Sequence, residues 1–399
     1  MANGNKKGTI GILTGGGDVP GLNPAIRGVT MRALREGYEV IGFRHGWGGL
    51  IDIVRDKAYD NSNNFLTLTQ DVVNRAGRTG GTFLHSSRTN PAKTSKGSVP
   101  EHLKSQYNAE KNDLTPEVLK NLEWLGIEYM IPIGGDDTLS YGVRLHKEGV
   151  NVVAIPKTMD NDVPGTDYCI GFSTCVSRTI ELTNQIRTSA GSHERFLILE
   201  VFGRYAGYTA MLPTLAGAAD RCVIPEYKFD IDVLTERLVS DRKKNPSRYA
   251  VALVSEGAMF EGGDMVFEGE AADAYGHKKL GGIGDLVANE VKERSAKFNN
   301  GKKIEVISQK LGYLVRSGDP DAVDSIAPMV YGNLALDLLL SKNFGRLVVL
   351  RDGRYGNIPI GDIAGVKKVV NVEDQYDTAR LRPRYDSFSG KPLFLMGAS

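Results

Sequence analysis

The chain has 399 residues, with 49 Lys and Arg against 48 Asp and Glu, and 41% of its residues are hydrophobic. This near balance of charge argues against nucleic acid or an anionic membrane surface as a partner, since both need an extended basic surface. Three cysteines are too few for a disulfide framework or a four-thiolate zinc site. We expect a soluble, cytoplasmic protein with two domains.

Apolar segments of strand length alternate with amphipathic segments of helix length along the first third of the chain, a pattern typical of an α/β protein with parallel sheets. The first unit comprises a predicted strand over Thr9–Thr14, a glycine-rich loop over 15–18 and a helix to Glu36. Asn23 is the predicted N-cap of that helix, and Pro24 its first helical residue. The next predicted strand is Tyr38–Phe43.

A second unit begins at Thr115-Pro116 with a helix that ends at Gly126. The strand Ile127–Ile133 and the loop 134–138 follow it. A helix over Leu139–Glu148 then leads into the strand Val150–Ile155.

Two further predicted strands, Phe196–Val201 and Tyr249–Val254, are also followed by polar residues and predict a second, similar βα layer. The polar stretches 90–114 and 259–279 have the composition of surface insertions. Ligands of open α/β sheets bind at the carboxyl ends of the strands, so the polar clusters there are the candidate site.

The loop after the first strand contains Gly15, Gly16 and Gly17, whose backbone N–H groups can approach an anion closely. A tight strand-to-helix turn is the alternative. The adjacent carboxylates of Asp136 and Asp137 would repel a phosphate bound nearby unless a cation such as Mg²⁺ lay between them. The alternative for these two residues is that both cap the following helix.

The segment 157–162 joins a lysine, a hydroxyl and two carboxylates at the end of a buried strand. Such groups are costly to bury unless they meet a ligand or one another. Asp160 is a candidate general base with Asp162 as its electrostatic supporter, and Lys157 a candidate phosphate ligand. An Asx turn at Asn161-Asp162 is the alternative.

Four arginines are predicted in loops beside strand and helix ends, where a guanidinium could bind phosphate oxygens. For any one of them, a solvated surface position is the alternative. They are Arg88, Arg195, Arg204 and Arg316.

Several of these segments occur together in one known family, and the chain resembles the phosphofructokinases over most of its length. The segments are GGGDVPGLNPAIRG (15–28), GGTFLHSSR (80–88), PIGGDDT (132–138), PKTMDND (156–162), GTDYCIGFST (165–174), SHER (192–195), FGRYAGY (202–208) and LGYLVRSGDP (311–320). No single segment is specific, but their combination in this order is.

The resemblance implies phosphoryl transfer to the 1-hydroxyl of fructose 6-phosphate, a step of glycolysis and gluconeogenesis. It implies Asp160 as the general base beside Asp162, catalytic roles for Thr158 and Arg204, and Mg²⁺ at Asp136. The implied donor-binding residues are Gly16, Gly17, Arg88, Gly135, Asp137 and Lys157. The implied residues of the sugar-phosphate site are Thr158, Met159, Asp160, Arg195, Phe202, Gly203, Arg204, Glu256, Lys310, Tyr313 and Arg316.

The resemblance also implies two similar Rossmann-like βα layers with mainly parallel sheets and the active site in the cleft between them. The donor domain would comprise residues 1–170 plus about 317–365. The fructose 6-phosphate domain would comprise 171–316 plus about 366–399. By family precedent Arg195 reaches across a subunit boundary, which implies a homodimer or homotetramer.

The donor is indicated by two positions, Asp137 and Lys157, where ATP-using bacterial members have glycine. An aspartate at 137 would repel the α-phosphate of a nucleotide, at a cost on the order of 4 kcal/mol before screening. The pair resembles that of the pyrophosphate-dependent enzymes, which implies pyrophosphate as donor and a readily reversible reaction. Two departures affect recognition of the 6-phosphate: Ile307 replaces an arginine and Tyr313 a histidine, with Lys310 the candidate substitute for the lost charge.

Three other functions compete with this hypothesis. The nearest is an ATP-dependent 6-phosphofructokinase that tolerates Asp137 and Lys157. A catalytically silent regulatory subunit would be expected to lose the base, yet Asp160 and Asp162 are both present. A nicotinamide dehydrogenase is disfavoured because no GxGxxG follows the first strand.

Overall fold

The strands of the protein lie in two main sheets and three short ribbons. The computed structural model describes residues 7–272, 278–386 and 388–391. The strands are β1 Thr9–Thr14, β2 Glu39–Phe43, β3 Phe65–Thr67, β4 Thr94–Ser95, β5 Lys111–Asn112, β6 Tyr129–Gly134, β7 Asn151–Pro156, β8 Phe196–Val201, β9 Arg221–Val223, β10 Ala250–Ser255, β11 Phe267–Ala272, β12 Lys278–Leu280, β13 Val306–Lys310, β14 Arg346–Arg351, β15 Arg354–Pro359, β16 Tyr376–Asp377 and β17 Arg382–Pro383.

The helices connect these strands and cover the sheets. They are α1 Leu22–Glu36, α2 Trp47–Ile51, α3 Gln70–Ala76, α4 Thr115–Trp124, α5 Asp136–Lys147, α6 Phe172–Ser192, α7 Tyr208–Leu215, α8 Ile231–Lys244, α9 Ile283–Phe298, α10 Ala322–Leu340 and α11 Val372–Gln375. Short 3₁₀ helices cover Pro91–Lys93, Lys96–Ser98, Glu101–Leu103, Gly312–Arg316 and Ile360–Ile363.

The larger sheet has the strand order β15-β14-β7-β6-β1-β2-β3, and the smaller has the order β13-β8-β10-β9. The smaller sheet is parallel throughout. In the larger sheet β2, β1, β6, β7 and β14 run parallel, and only its edge strands β3 and β15 are antiparallel. The predicted α/β class with mainly parallel sheets is confirmed. Strands β1, β8 and β10 are buried along their whole length, which is why they read as unbroken apolar runs.

The helix after β1 begins earlier than predicted, and Asn23 is not its N-cap. The N-cap is Gly21, whose φ of 109° lies in the left-handed region. Asn23 is instead buried inside the first turn, where its amide donates to Thr79 O at 3.1 Å and its Oδ1 accepts from the Phe83 N–H at 3.0 Å. The polar residue therefore fastens the 79–83 loop rather than the helix end.

The helix after β6 also begins three residues before the predicted start at Leu139. Its first residues are Asp136 and Asp137, with Gly135 as an N-cap that makes no side-chain bond. Acidic side chains in a first turn are favoured by the helix dipole, so the polar segment is helical rather than a loop.

The two polar stretches predicted as insertions contain short antiparallel ribbons. In 90–114, β4 pairs with β5, and Val99 and Leu103 are buried. In 259–279, β11 pairs with β12, and residues 273–277 lie outside the described part of the chain.

One helix among the described residues, α10, is long and apolar enough to cross a membrane by length and composition alone. Half of its apolar stretch is buried inside the protein, as expected for a core helix. Its most extensive packing is against α1, where the backbone of Met329 would contact a side chain placed at Gly28.

Candidate active site

The carboxyl ends of three neighbouring parallel strands, β1, β6 and β7, meet at one edge of the larger sheet. The loops that follow them are bound together: the Gly15 N–H donates to Ile133 O, and the Lys157 N–H donates to Gly134 O, both at 2.9 Å. The Gly16 N–H donates to Ser87 O at 2.9 Å, which brings the 86–88 segment to the same edge. The four predicted donor-binding segments are thus adjacent in space.

The side chain of Lys157 lies against the glycine-rich loop. Its ammonium donates to Gly17 O at 2.6 Å, and the side chain is only 3% exposed. Gly16 has a φ of 79°, and a Cβ there would lie 3.1 Å from the Lys157 Nζ. A side chain at 17 would lie 2.9 Å from an Arg316 guanidinium nitrogen. The glycines therefore leave room for two cations beside the loop, which is more than a tight turn requires.

Burial, followed by the Arg316 charge, lowers the pKa of Lys157 to about 8, whereas Asp18 acts in the opposite direction. The exposed Arg88 lowers this pKa further, so Lys157, Arg88 and Arg316 form one group of cations, which we call the cation group. A bound polyanion would relieve the repulsion among them.

Asp160 and Asp162 follow β7 and form a carboxylate pair. Burial raises the pKa of Asp160 well above its ordinary value, and the Asp162 charge adds to this effect. The Asp160 Oδ1 is buried and has no hydrogen-bond partner among the described residues. Burial also raises the pKa of Asp162, which Thr158 opposes by a hydrogen bond. A desolvated carboxylate with a free oxygen and a raised pKa is suited to accept a proton.

The intervening Asn161 has a structural role. Its φ is 56°, its amide donates to Asp167 O at 2.9 Å, and its Oδ1 accepts from the Cys169 N–H at 2.7 Å. These bonds fix the loop that presents the carboxylate pair. Thr158 Oγ1 also accepts from the Asp160 N–H at 3.2 Å, and Met159 packs on the core.

Asp136 and Asp137 lie on the first turn of α5, where both are exposed. Partial burial raises the pKa of Asp136, the charges of Asp137 and Asp162 add to this, and Lys367 opposes it. No group of three or more His, Cys, Asp or Glu side chains among the described residues could by itself enclose a metal ion. An exposed carboxylate beside a second one suits Mg²⁺, which is commonly held by one or two carboxylates and shared with substrate phosphates.

The smaller sheet contributes the residues that follow β8 and β10. The backbone N–H of Arg204 donates to the Asp160 carboxylate, so this contact joins the two sheets. Gly203 has a φ of 120°, and a Cβ there would lie 2.8 Å from Ala206 O, so the turn requires glycine. Burial raises the pKa of Glu256 to about 7, although the nearby charges of Arg204 and Lys310 lower it.

Arg316 lies between the two sheets. Its guanidinium is 3.5 Å from an Asp18 carboxylate oxygen, and its central carbon is 5.6 Å from the Phe202 ring centroid. The same carbon is 4.4 Å from the ring centroid of Tyr313, which is 71% exposed. Lys310, the candidate substitute for the lost arginine, pairs with the buried Glu200 at 3.1 Å.

Arg195 is the predicted site residue that the protein does not bring to this cluster. Arg195 precedes β8, whereas Arg204 follows it. The two ends of this six-residue strand are roughly 20 Å apart. Within one chain Arg195 instead lies near Glu305, on which its charge acts.

Two lysines near the site were missed from the sequence. The charges of Lys367 and Lys368 both act on Asp162, and Lys368 is almost fully buried. They come from a segment roughly 200 residues away, and their only signal was a Lys-Lys pair between valines. Glu200 was also missed, although it is the one charged residue in the apolar run of β8.

Comparison with known proteins gives the same family for most of the chain. Residues 9–339 match the family model described as Phosphofructokinase. The chain is 36% identical to the pyrophosphate--fructose 6-phosphate 1-phosphotransferase of Streptomyces coelicolor over 91% of its length and 96% of the relative's. It is also 36% identical to the ATP-dependent 6-phosphofructokinase 3 of the same organism, over 90% and 96%.

Solved structures show the same fold. A pyrophosphate-dependent phosphofructokinase from Nitrosospira multiformis superposes with a TM-score of 0.74 at 18% identity, covering 94% of this chain and 89% of that one. The phosphofructokinase from Saccharomyces cerevisiae superposes with a TM-score of 0.69 at 23% identity, covering 90% of this chain and 45% of that one.

Proposed function

The chain belongs to the phosphofructokinase family, and we propose that it transfers a phosphoryl group reversibly from pyrophosphate to the 1-hydroxyl of fructose 6-phosphate. The products are fructose 1,6-bisphosphate and phosphate. The observation that carries this proposal is the position of Lys157, whose buried ammonium lies at the Gly17 carbonyl within the donor loop. An amine there can bind the terminal phosphate of a short donor.

Asp137 supports the same donor. Its exposed carboxylate on the first turn of α5 adds negative charge beside Asp136, where a nucleotide would extend its α-phosphate. Pyrophosphate has no third phosphate to be repelled. The relatives named for pyrophosphate and for ATP are equally identical to this chain, so the proposal depends on these residues rather than on overall similarity.

Asp160 is proposed to take the proton of the 1-hydroxyl as its oxygen attacks the terminal phosphorus, while the bond from that phosphorus to the bridging oxygen breaks. Asp162 and Thr158 hold the base in place. Phosphoryl transfer needs little covalent work from the protein, so positioning and charge stabilisation carry most of the catalysis. Arg204 is proposed to stabilise the transferring group and the ionised Asp160.

Asp136 is proposed as the Mg²⁺ ligand, together with oxygens of the donor. Bound Mg²⁺ would neutralise charge that develops on the phosphates. Gly16, Gly17, Gly135 and Arg88 would complete the donor site.

The sugar phosphate is proposed to bind Met159, Glu256, Arg316 and the 202–204 turn. Lys310 and Tyr313 would lie near the 6-phosphate. Because Arg195 lies at the other end of β8, we propose that it serves the site of a neighbouring subunit, in a homodimer or homotetramer.

We propose that the chain forms two domains, each built around one of the two main sheets. The donor domain comprises 1–170 plus about 317–365, and the fructose 6-phosphate domain comprises 171–316 plus about 366–399. The larger sheet and its glycine loop support the first assignment, and the smaller sheet supports the second.

The test is a coupled assay of the purified protein with fructose 6-phosphate or sedoheptulose 7-phosphate, each with pyrophosphate or ATP. We expect turnover with pyrophosphate and fructose 6-phosphate, and at least tenfold lower kcat/KM with ATP. Turnover with ATP but none with pyrophosphate would contradict the proposed donor. No turnover with any combination would favour a catalytically silent subunit.

A further inference from the structure

A short segment near the C-terminal end, residues 366–370, connects the two sheets beside the carboxylate pair. We call it the strap. On the side of the larger sheet, the Lys368 N–H donates to Asp162 O at 3.2 Å, and the Lys368 ammonium donates to Thr166 O at 2.7 Å. The strap is thus fastened to the same loop that carries Asp160 and Asp162.

The strap is also bonded to residues on the side of the smaller sheet. The Tyr208 hydroxyl donates to Val369 O at 2.6 Å, and the Val370 N–H donates to a Glu226 carboxylate oxygen at 2.7 Å. The same Glu226 oxygen accepts from the Gly207 N–H at 3.0 Å. A segment held on both sides places its outward side chain at a fixed point beside the loop of the carboxylate pair.

That side chain is Lys367, which is exposed, whereas its neighbour Lys368 is 1% exposed. The Lys367 ammonium lies 3.3 Å from the ring centroid of Tyr205, next to Arg204 in sequence. The ring face attracts a cation without neutralising it, and an ammonium has three donors to share. Lys367 therefore remains able to bind an anion.

The charge of Lys367 acts on both aspartate pairs. It lowers the pKa of Asp162 and of Asp136, in each case against a larger effect of burial. The cation group of Lys157, Arg88 and Arg316 gathers instead at the glycine loop. Lys367 is therefore an exposed cation on the carboxylate side of the site, separate from the cation group and additional to Arg204.

We propose that Lys367 is a further catalytic cation of this enzyme, which binds oxygens of the transferring phosphoryl group from the carboxylate side and is held there by the strap and the Tyr205 ring. The proposal rests on the proposed function for the class of donor. A phosphotransferase must mainly stabilise the charge on the phosphoryl oxygens in the transition state. An ammonium held in a fixed position does this without reorganisation.

The experiment compares Lys367→Met with Lys367→Arg and with a matched control, Lys297→Met. Lys297 is likewise an exposed lysine over an aromatic ring, 5.1 Å from the Phe298 centroid, but it lies in α9. We expect Lys367→Met to lower kcat/KM for the donor by about 10- to 100-fold, the loss expected for one charge-assisted hydrogen bond. KM for fructose 6-phosphate should change less than twofold, Lys367→Arg should restore most of the loss, and Lys297→Met should match the parent.

Binding is measured separately by calorimetry with imidodiphosphate, a non-hydrolysable analogue of pyrophosphate, and folding by the melting temperature. Weaker imidodiphosphate binding in Lys367→Met at an unchanged melting temperature supports the proposal. Parent-like kinetics and binding would overturn it. Reduced kcat with unchanged imidodiphosphate binding and a lower melting temperature would also overturn it, since Lys367 would then only fasten the strap.

The identity of the donor is separated from the role of Lys367 by running each variant with pyrophosphate and with ATP. If the parent uses only ATP, the proposed donor is wrong. A 10- to 100-fold loss of kcat/KM for ATP in Lys367→Met would then still support Lys367, and an unchanged value would overturn it.

Discussion

Two pairs of aspartates lie at the candidate site, and their exposure differs. Asp136 and Asp137 are exposed on the first turn of a helix, although partial burial still raises the pKa of Asp136. Asp160 and Asp162 follow β7 and are half-buried, and burial raises the pKa of both, that of Asp160 well above its ordinary value. The same residue type can therefore serve two chemical roles, and the exposure of each pair decides which role it suits. The exposed pair suits a cation and a donor, and the half-buried pair suits proton transfer.

The largest expected effect comes from removing the general base of the half-buried pair. Asp160→Asn should lower kcat by about 10²–10⁴-fold, because it removes the general base while keeping the shape of the side chain. The loss should be similar with pyrophosphate and with ATP, since the base acts on the sugar hydroxyl. Steady-state kinetics would check this, and near-parent turnover would show that Asp160 is not the base.

The next effect concerns the choice of donor, which we assign to Asp137 of the exposed pair and to Lys157. Asp137→Gly combined with Lys157→Gly should shift the ratio of kcat/KM for pyrophosphate to that for ATP by about 10- to 100-fold toward ATP. The repulsion between the Asp137 carboxylate and a nucleotide α-phosphate is less than the full few kcal/mol, because Asp137 is exposed and solvent screens its charge. An unchanged ratio would place the determinants of donor choice elsewhere.

A smaller effect tests the metal. Asp136→Asn should raise the Mg²⁺ concentration needed for half-maximal rate by at least about tenfold, because one anionic ligand is lost. Asp71→Asn is the matched control, since Asp71 is also acidic and exposed in a helical first turn, that of α3. Equal Mg²⁺ dependence in both variants would contradict the assignment.

The smallest effect is a pH dependence. With a pKa of about 7, Glu256 is protonated as the pH falls through that value and becomes a weaker acceptor for sugar hydroxyls. We expect kcat/KM for fructose 6-phosphate to fall severalfold between pH 8 and 6. In Glu256→Gln the value should be lower throughout, and the decline should follow Asp160 alone. An identical pH profile in both proteins would exclude Glu256 as its cause.

The buried strands were predictable to within one or two residues, because a strand covered on both faces must be apolar throughout. Helix starts were harder. Asn23 has the composition of a cap but makes a tertiary contact, and Asp136 has the composition of a loop but is helical. In both cases a polar residue had several ways to satisfy its bonds, and only the surrounding fold selects one.

The spatial grouping of the candidate residues was predictable where polar residues follow a strand, as at Lys157 and Arg204. Lys367 and Lys368 were not, because the sequence pattern carries no information on which distant segment approaches the site. The strap with Lys367 is the clearest example. Arg195 is the opposite case. A family motif predicts it in the site, but it lies at the amino end of β8, away from the site of the same chain.

The most direct test of the central claim is the reverse reaction. The protein is incubated with fructose 1,6-bisphosphate, Mg²⁺ and radiolabelled orthophosphate, and the labelled products are separated. We predict labelled pyrophosphate, formed in equal amount to fructose 6-phosphate and lost in Asp160→Asn. If orthophosphate is not incorporated, while ADP in its place yields ATP, the donor is a nucleotide and the account of Asp137 and Lys157 is wrong.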